Sequence, residues 1–290
     1  MQKSQEVKEL KKTVFIITIV SLFAFTGFSL NVVATIQPYY LITSEIAGDN
    51  ASVSLLVQSG ANPHTFSPRV SQIKKLEEAD LIIANGLGLE PYLTPYSEKT
   101  LYIGEQIPSI FLNSETLEHN EDSGVNPHVW LNPFFVKYFI VPAVLEELTR
   151  RDPGNRDKYV ENARKLIYDL NKVIRRANLL FSNLAGSYVI LSHPGYYYFF
   201  HEYSINVASI EEGHGQKPSI SHLQELIKMV KTERVIGLFH EPQLDEKGIK
   251  TIAKETGRRY YTVDPLGVDV ENITALFEKF LDTVEEALHE

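Results

Sequence analysis

Apolar and polar positions change rhythm along this chain. Short unbroken apolar runs alternate with longer stretches in which apolar residues recur every three or four positions, a pattern that predicts parallel strands joined and covered by helices. The runs at 31–36, 53–57, 80–84 and 100–103 are predicted strands in the first half, and those at 188–191, 206–210, 235–239 and 260–263 in the second. Between them, Tyr159, Ala163, Leu166, Ile167, Leu170, Val173, Ile174, Ala177, Leu180, Phe181 and Leu184 form one apolar stripe at helical spacing. Asp152 and Pro153 supply a cap and a first-turn proline, and Gly186 a stop. The expectation is an α/β protein of two lobes, each with a roughly four-stranded parallel sheet and flanking helices. A linking helix over 153–185 would join an N-terminal lobe, 30–152, to a C-terminal lobe, 186–290. On pattern alone, the same stripe also suits a long helix packed inside one domain.

Length agrees with two lobes, since 290 residues exceed what one core usually serves. The first thirty residues follow another logic. Lys3, Lys8, Lys11 and Lys12 precede an uncharged apolar run over 14–28, and Gly27 and Ser29 put small residues where a signal peptidase would cut after Ser29. An exported protein with a signal peptide over 1–29 is expected, periplasmic or otherwise extracytoplasmic, the other reading being an uncleaved anchor. Beyond residue 29 the chain holds 24 basic and 35 acidic residues, a balance that repels nucleic acid and favours cations. Cysteine is absent, which excludes disulfides, thiolate metal ligands and a lipid-modified cysteine.

The tripeptide Asn-Pro-His occurs twice, at Asn62-Pro63-His64 and Asn126-Pro127-His128, each time with an aromatic residue two positions on, Phe66 and Trp130. Ser67-Pro68 and Asn132-Pro133 then offer a cap and a first-turn proline, so each histidine is expected in a short stiff loop opening into a helix. In the second half, polar residues end two apolar runs, at His193-Pro194 and Asp264-Pro265. Ligands of open parallel sheets bind beyond the carboxyl ends of the strands, where all four residues fall. His64, His128, His193 and Asp264 are therefore the candidate metal ligands, a nitrogen and oxygen set suited to Zn2+, with Mn2+ as the alternative. Asp264 equally suits a cap on the turn before Gly267. His240 and Glu241 end another strand, and Glu241 is a candidate either for orienting a metal-bound imidazole or for bonding loop amides.

Taken together, Gly60 to His64 with Ser67-Pro68, Asn85-Gly86 with Glu90, His128-Val-Trp130 with Asn132-Pro133, Ser192-His193, Pro218-Ser219, Glu241-Pro-Gln243 and Val263 to Gly267 resemble the metal-binding solute-binding proteins of zinc and manganese ABC importers. The resemblance implies two α/β lobes bridged by a long helix, metal between them with little closure, and the four ligands named above. It also implies a monomer that hands a divalent metal to a membrane permease, has no catalytic activity and in some relatives has an added role in adhesion. The chain departs from the family in carrying only His119 where zinc-binding relatives have a histidine-rich loop, and Pro194-Gly195 where many have aspartate and alanine. His193, where manganese-selecting relatives carry glutamate, favours zinc. Two rival readings are the same fold holding a metal chelate such as a siderophore, with Tyr196, Tyr197 and Tyr198 lining the cleft, and a zinc hydrolase with an open fourth position.

Overall fold

The computed structural model describes residues 29–58, 60–112, 124–212 and 217–289. The predicted export segment, the acidic stretch around His119, and His214 lie outside the described residues.

Two four-stranded parallel sheets carry the fold, as the apolar runs predict. In the first, β1 (Leu30–Ala34) lies between β2 (Ala51–Leu55) and β3 (Leu81–Ala84), and β3 pairs with β4 (Thr100–Tyr102), giving the order β2-β1-β3-β4. The second repeats this plan, with β5 (Tyr188–Leu191), β6 (Asn206–Ser209), β7 (Val235–His240) and β8 (Tyr261–Thr262) in the order β6-β5-β7-β8. The inner strands are covered on both faces, so they read as continuous apolar runs: every residue of β3 and of β7 is buried. Crossovers run through α1 (Gln37–Ala47) and α2 (Val70–Glu78) in the first half. In the second half they run through α5 (Tyr197–Glu202), α6 (Ile220–Thr232) and α7 (Lys247–Thr256).

Between the sheets come α3 (Val141–Arg151) and the linking helix α4 (Arg156–Leu180), and α8 (Ile273–Leu288) ends the chain. At 25 residues α4 is about 38 Å long. Seven of the stripe residues are buried in it, Tyr159, Ala163, Leu166, Leu170, Val173, Ile174 and Ala177, while Ile167 and Leu180 are partly buried. The helix ends before Gly186, so Phe181 and Leu184 are buried in the turns that follow it. It begins later than the proline suggests, because Pro153–Asn155 forms a separate tight turn. Asp152 caps no amide there. Its carboxylate accepts instead from Asn155 Nδ2 (2.7 Å) and the Tyr159 hydroxyl (2.6 Å). Ahead of α3, Pro142 has no N–H to give the Tyr138 carbonyl four residues back, and the chain widens into a π turn over Val136–Ile140.

The linking helix serves both lobes. One large apolar core takes in Val32 and Ile83 of the first sheet, Leu166 and Leu170 of α4, and Leu191, Phe277 and Val284 of the second half. Smaller cores lie behind each sheet, around Leu76 and Leu93 in the first half and around Leu226 and Ile249 in the second. Polar fastenings run along the same spine. Asn162 Nδ2 donates to the Ile46 carbonyl (3.0 Å), and the Ile273 amide at the start of α8 donates to Glu45 Oε1 of α1 (2.9 Å). On the other side Arg176 spans Glu278, Asp282 and Glu285 of α8 at 2.6–2.7 Å.

Candidate metal centre

The first Asn-Pro-His loop joins β2 to α2. Asn62 Oδ1 accepts from the His64 amide at 2.9 Å, fixing a tight turn over Pro63–Thr65 that leaves His64 the most accessible of the three candidate histidines. The helix beyond it starts later than Ser67-Pro68 predicts. Val70 is its first residue, and the Arg69 amide donates to the Gln72 side chain (2.9 Å), so serine and proline stand in an irregular lead-in.

The second loop repeats the device in a buried setting. Asn126 Oδ1 accepts from the His128 amide (3.0 Å) and lies 2.8 Å from the His128 ring Nδ1. An amide N–H can only donate and Asn126 Nδ2 donates to the Pro194 carbonyl (3.0 Å), so the side-chain oxygen is identified and Nδ1 must carry the proton. The Nε2 lone pair of His128 is thereby left for another partner. Asn132 accepts from Phe134 N (2.8 Å) and Phe135 N, as its position before a helix-starting proline predicts.

This second loop is fastened across the cleft as well. Asn132 Nδ2 donates to the Tyr198 carbonyl (3.0 Å), the Tyr198 hydroxyl donates to the Asn126 carbonyl (2.8 Å), and Trp130 Nε1 donates to the Pro265 carbonyl (2.9 Å). Tyr196 and Tyr198 are thus built into the core and the loop support, and Tyr196 stacks on Phe280 with ring centroids 4.1 Å apart. They do not form the aromatic cleft wall that the chelate reading requires.

His193 extends from β5 into the turn Pro194–Tyr196 and is 5% exposed, against 3% for His128. Ring centroids stand 4.5 Å apart for His128 and His193, 5.0 Å for His64 and His128, and 5.3 Å for His64 and His193. One ring nitrogen from each histidine lies within 4.8 Å of the other two. His64 Nε2 is 3.0 Å from His128 Nε2. Since His128 presents a lone pair there, His64 supplies the proton in the neutral pair, and to offer Nε2 to a cation His64 would have to carry its proton on Nδ1 instead. The rings face a cavity of about 310 Å3 also lined by Trp130, Glu211, Glu241, Gln243 and Leu266.

Asp264 stands outside this trio. Its Oδ1 accepts from Gln243 Nε2 (2.7 Å) and the Leu266 amide (3.1 Å), and its Oδ2 from the Val268 amide (2.7 Å). The carboxylate therefore caps the turn leading to Gly267, the second of the two roles the sequence offers it, while Gln243 stands between it and the cavity. In the sequence Gln243 appears only as part of the Glu241-Pro-Gln243 resemblance and is given no role there. His240 is buried among the β7 residues, with Nδ1 2.9 Å from the Ser192 hydroxyl, and burial pushes its imidazole below the ordinary histidine range. His222 Nε2 meets the Ser209 carbonyl (2.8 Å) and His201 stacks on Tyr197, both apart from the trio.

Comparison with known proteins adds to this geometry. A family model described as the zinc-uptake complex component A, periplasmic, matches residues 32–289. A protein of Thermotoga maritima, whose description goes no further than metal binding, is 39% identical over 274 residues, covering 94% of this chain and 98% of its own. The manganese ABC transporter substrate-binding lipoprotein PsaA of Streptococcus mitis is 28% identical, over 82% of this chain and 80% of its own. The crystal structure of ZnuA superposes with a TM-score of 0.74 at 28% identity, covering 88% of this chain and 99% of that one.

Proposed function

The chain belongs to the family of periplasmic zinc-uptake component A proteins, and from that premise we propose that it captures zinc in preference to manganese on His64, His128, His193 and Asp264. Membership makes it a metal-binding, non-catalytic substrate-binding component that works with the permease of an ABC metal importer. The family acts outside the cytoplasm, and among the described residues no helix is long and apolar enough to cross a membrane.

What carries the ligand assignment is the convergence of three imidazole nitrogens within 4.8 Å from three separate loops. Imidazoles do not cluster in that way for packing alone, because each must leave water without gaining an apolar surface to match. Asp264 completes the set by exchanging Gln243 and the turn amides for the ion, whose two positive charges offset the lost hydrogen bonds. Neutral nitrogen donors favour zinc, and at a nitrogen and oxygen site the intrinsic order also places zinc above manganese.

Elemental analysis of the purified protein should find about one zinc per chain. Competition titrations at one pH should give tight zinc binding and weaker manganese binding, and His193→Glu, which exchanges a nitrogen for a hard charged oxygen, should narrow the gap. A wild type that prefers manganese overturns the zinc assignment.

A further inference from the structure

Strand pairing decides which residue at the end of β7 stands beside His193. Tyr188 lies opposite Val235 at the start of the β5–β7 pair, but the register shifts at a bulge and Leu191 lies opposite Phe239 at its end. An unbroken register would have brought His240 level with His193. The extra residue brings His240 level with Ser192, whose hydroxyl it meets, and Glu241 level with His193. Glu241 is 6% exposed, and its Oε1 stands 3.5 Å from His193 Nδ1. Gly195 leaves room for this approach, since a Cβ there would lie 2.8 Å from Glu241 Oε1 and 3.5 Å from His193 Nδ1.

We propose that Glu241 is a positioning residue for His193: its carboxylate accepts a hydrogen bond from Nδ1–H, sets the tautomer and turns the Nε2 lone pair toward the cavity. The inference rests on the reading of His193 as a metal ligand. A ligating imidazole offers one nitrogen, and the partner of the other nitrogen decides which. The 3.5 Å separation is a few tenths of an ångström beyond the usual N–H···O range. A small rotation of the carboxylate or the ring closes it. His128 obtains the same service from a neutral amide, Asn126. Glu241 adds a negative charge behind the imidazole, which raises its basicity toward a cation in front.

The test begins on the metal-free protein, with 15N NMR of the His193 ring at about pH 8, where an ordinary imidazole is neutral. Wild type should carry its proton on Nδ1. Glu241→Ala should lose that preference and bind zinc about tenfold to a hundredfold more weakly. Glu241→Gln keeps an acceptor oxygen and should retain the tautomer with a smaller loss of affinity. Gly195→Ala, which displaces the carboxylate while leaving it in the chain, should behave like Glu241→Ala and serves if that variant does not fold. An unchanged His193 tautomer in both Glu241→Ala and Gly195→Ala overturns the proposal, whatever the metal titrations give. A tautomer that responds as stated in a protein that binds no zinc would overturn the metal assignment instead and leave the role of Glu241 in place.

Discussion

The two Asn-Pro-His loops share a tripeptide, an asparagine that accepts from the histidine amide, and an aromatic residue two positions on, yet they behave as different objects. The first is accessible, with Asn62 bonding the His64 backbone and Phe66 leaning on Tyr92. The second is buried, and Asn126, Trp130 and Asn132 tie it to Pro194, Tyr198 and Pro265 of the other lobe. The motif determines the local turn. Its surroundings determine how firmly the imidazole is held, so His128 is fixed by bonds across the cleft and His64 stands on one accessible turn.

The sharpest way to break this comparison is to remove the imidazoles themselves. His64→Ala, His128→Ala and His193→Ala should each weaken zinc binding by at least about a hundredfold, more than loss of an orienting neighbour costs. Calorimetric titration checks this, and a variant that binds like wild type would remove that histidine from the site.

The asparagines should separate next. Asn126→Ala leaves the Pro194 carbonyl and the His128 amide and ring nitrogen without a buried partner, and should destabilise the metal-free protein by about 3 kcal/mol. Asn62→Ala removes one cap in an accessible turn and should cost about 1 kcal/mol or less. Urea unfolding of both variants measures the difference, and equal losses would show that the burial of the second loop does not hold it.

The smallest effect belongs to a histidine in neither loop. Burial depresses the His240 pKa in the folded protein, so below the unfolded value near ~6.5 the unfolded chain takes the proton first. His240 therefore contributes stability above that pH, and the contribution is lost as pH falls toward the depressed value. In unfolding experiments on the metal-free protein from about pH 7 to 5, His240→Gln should flatten the decline slightly without altering zinc affinity at pH 7.

How much of this was legible in the sequence depended on whether the cause was local. Strands such as Leu81–Ala84 and Val235–His240 were read within a residue or two because burial on both faces leaves a continuous apolar run. Most of the α4 stripe was legible, but Phe181 and Leu184 lie past the helix end and its start was set early because Asp152 bonds Tyr159 in place of an amide. His64, His128 and His193 stood out because proline or a strand end stiffens each one. The placing of Asp264 was not legible, since the competing donors, Gln243 and the Leu266 and Val268 amides, look like ordinary loop residues. Nor was the choice between His240 and Glu241, which turns on a bulge inside an otherwise regular strand.

The spine formed by α4, with Asn162 on one side and Arg176 on the other, bears on how far the halves are separate objects. One apolar core runs from the first sheet through α4 into the second half, so neither half keeps a complete core without the other. The walls of the cleft are two sides of one packed body rather than two bodies on a tether.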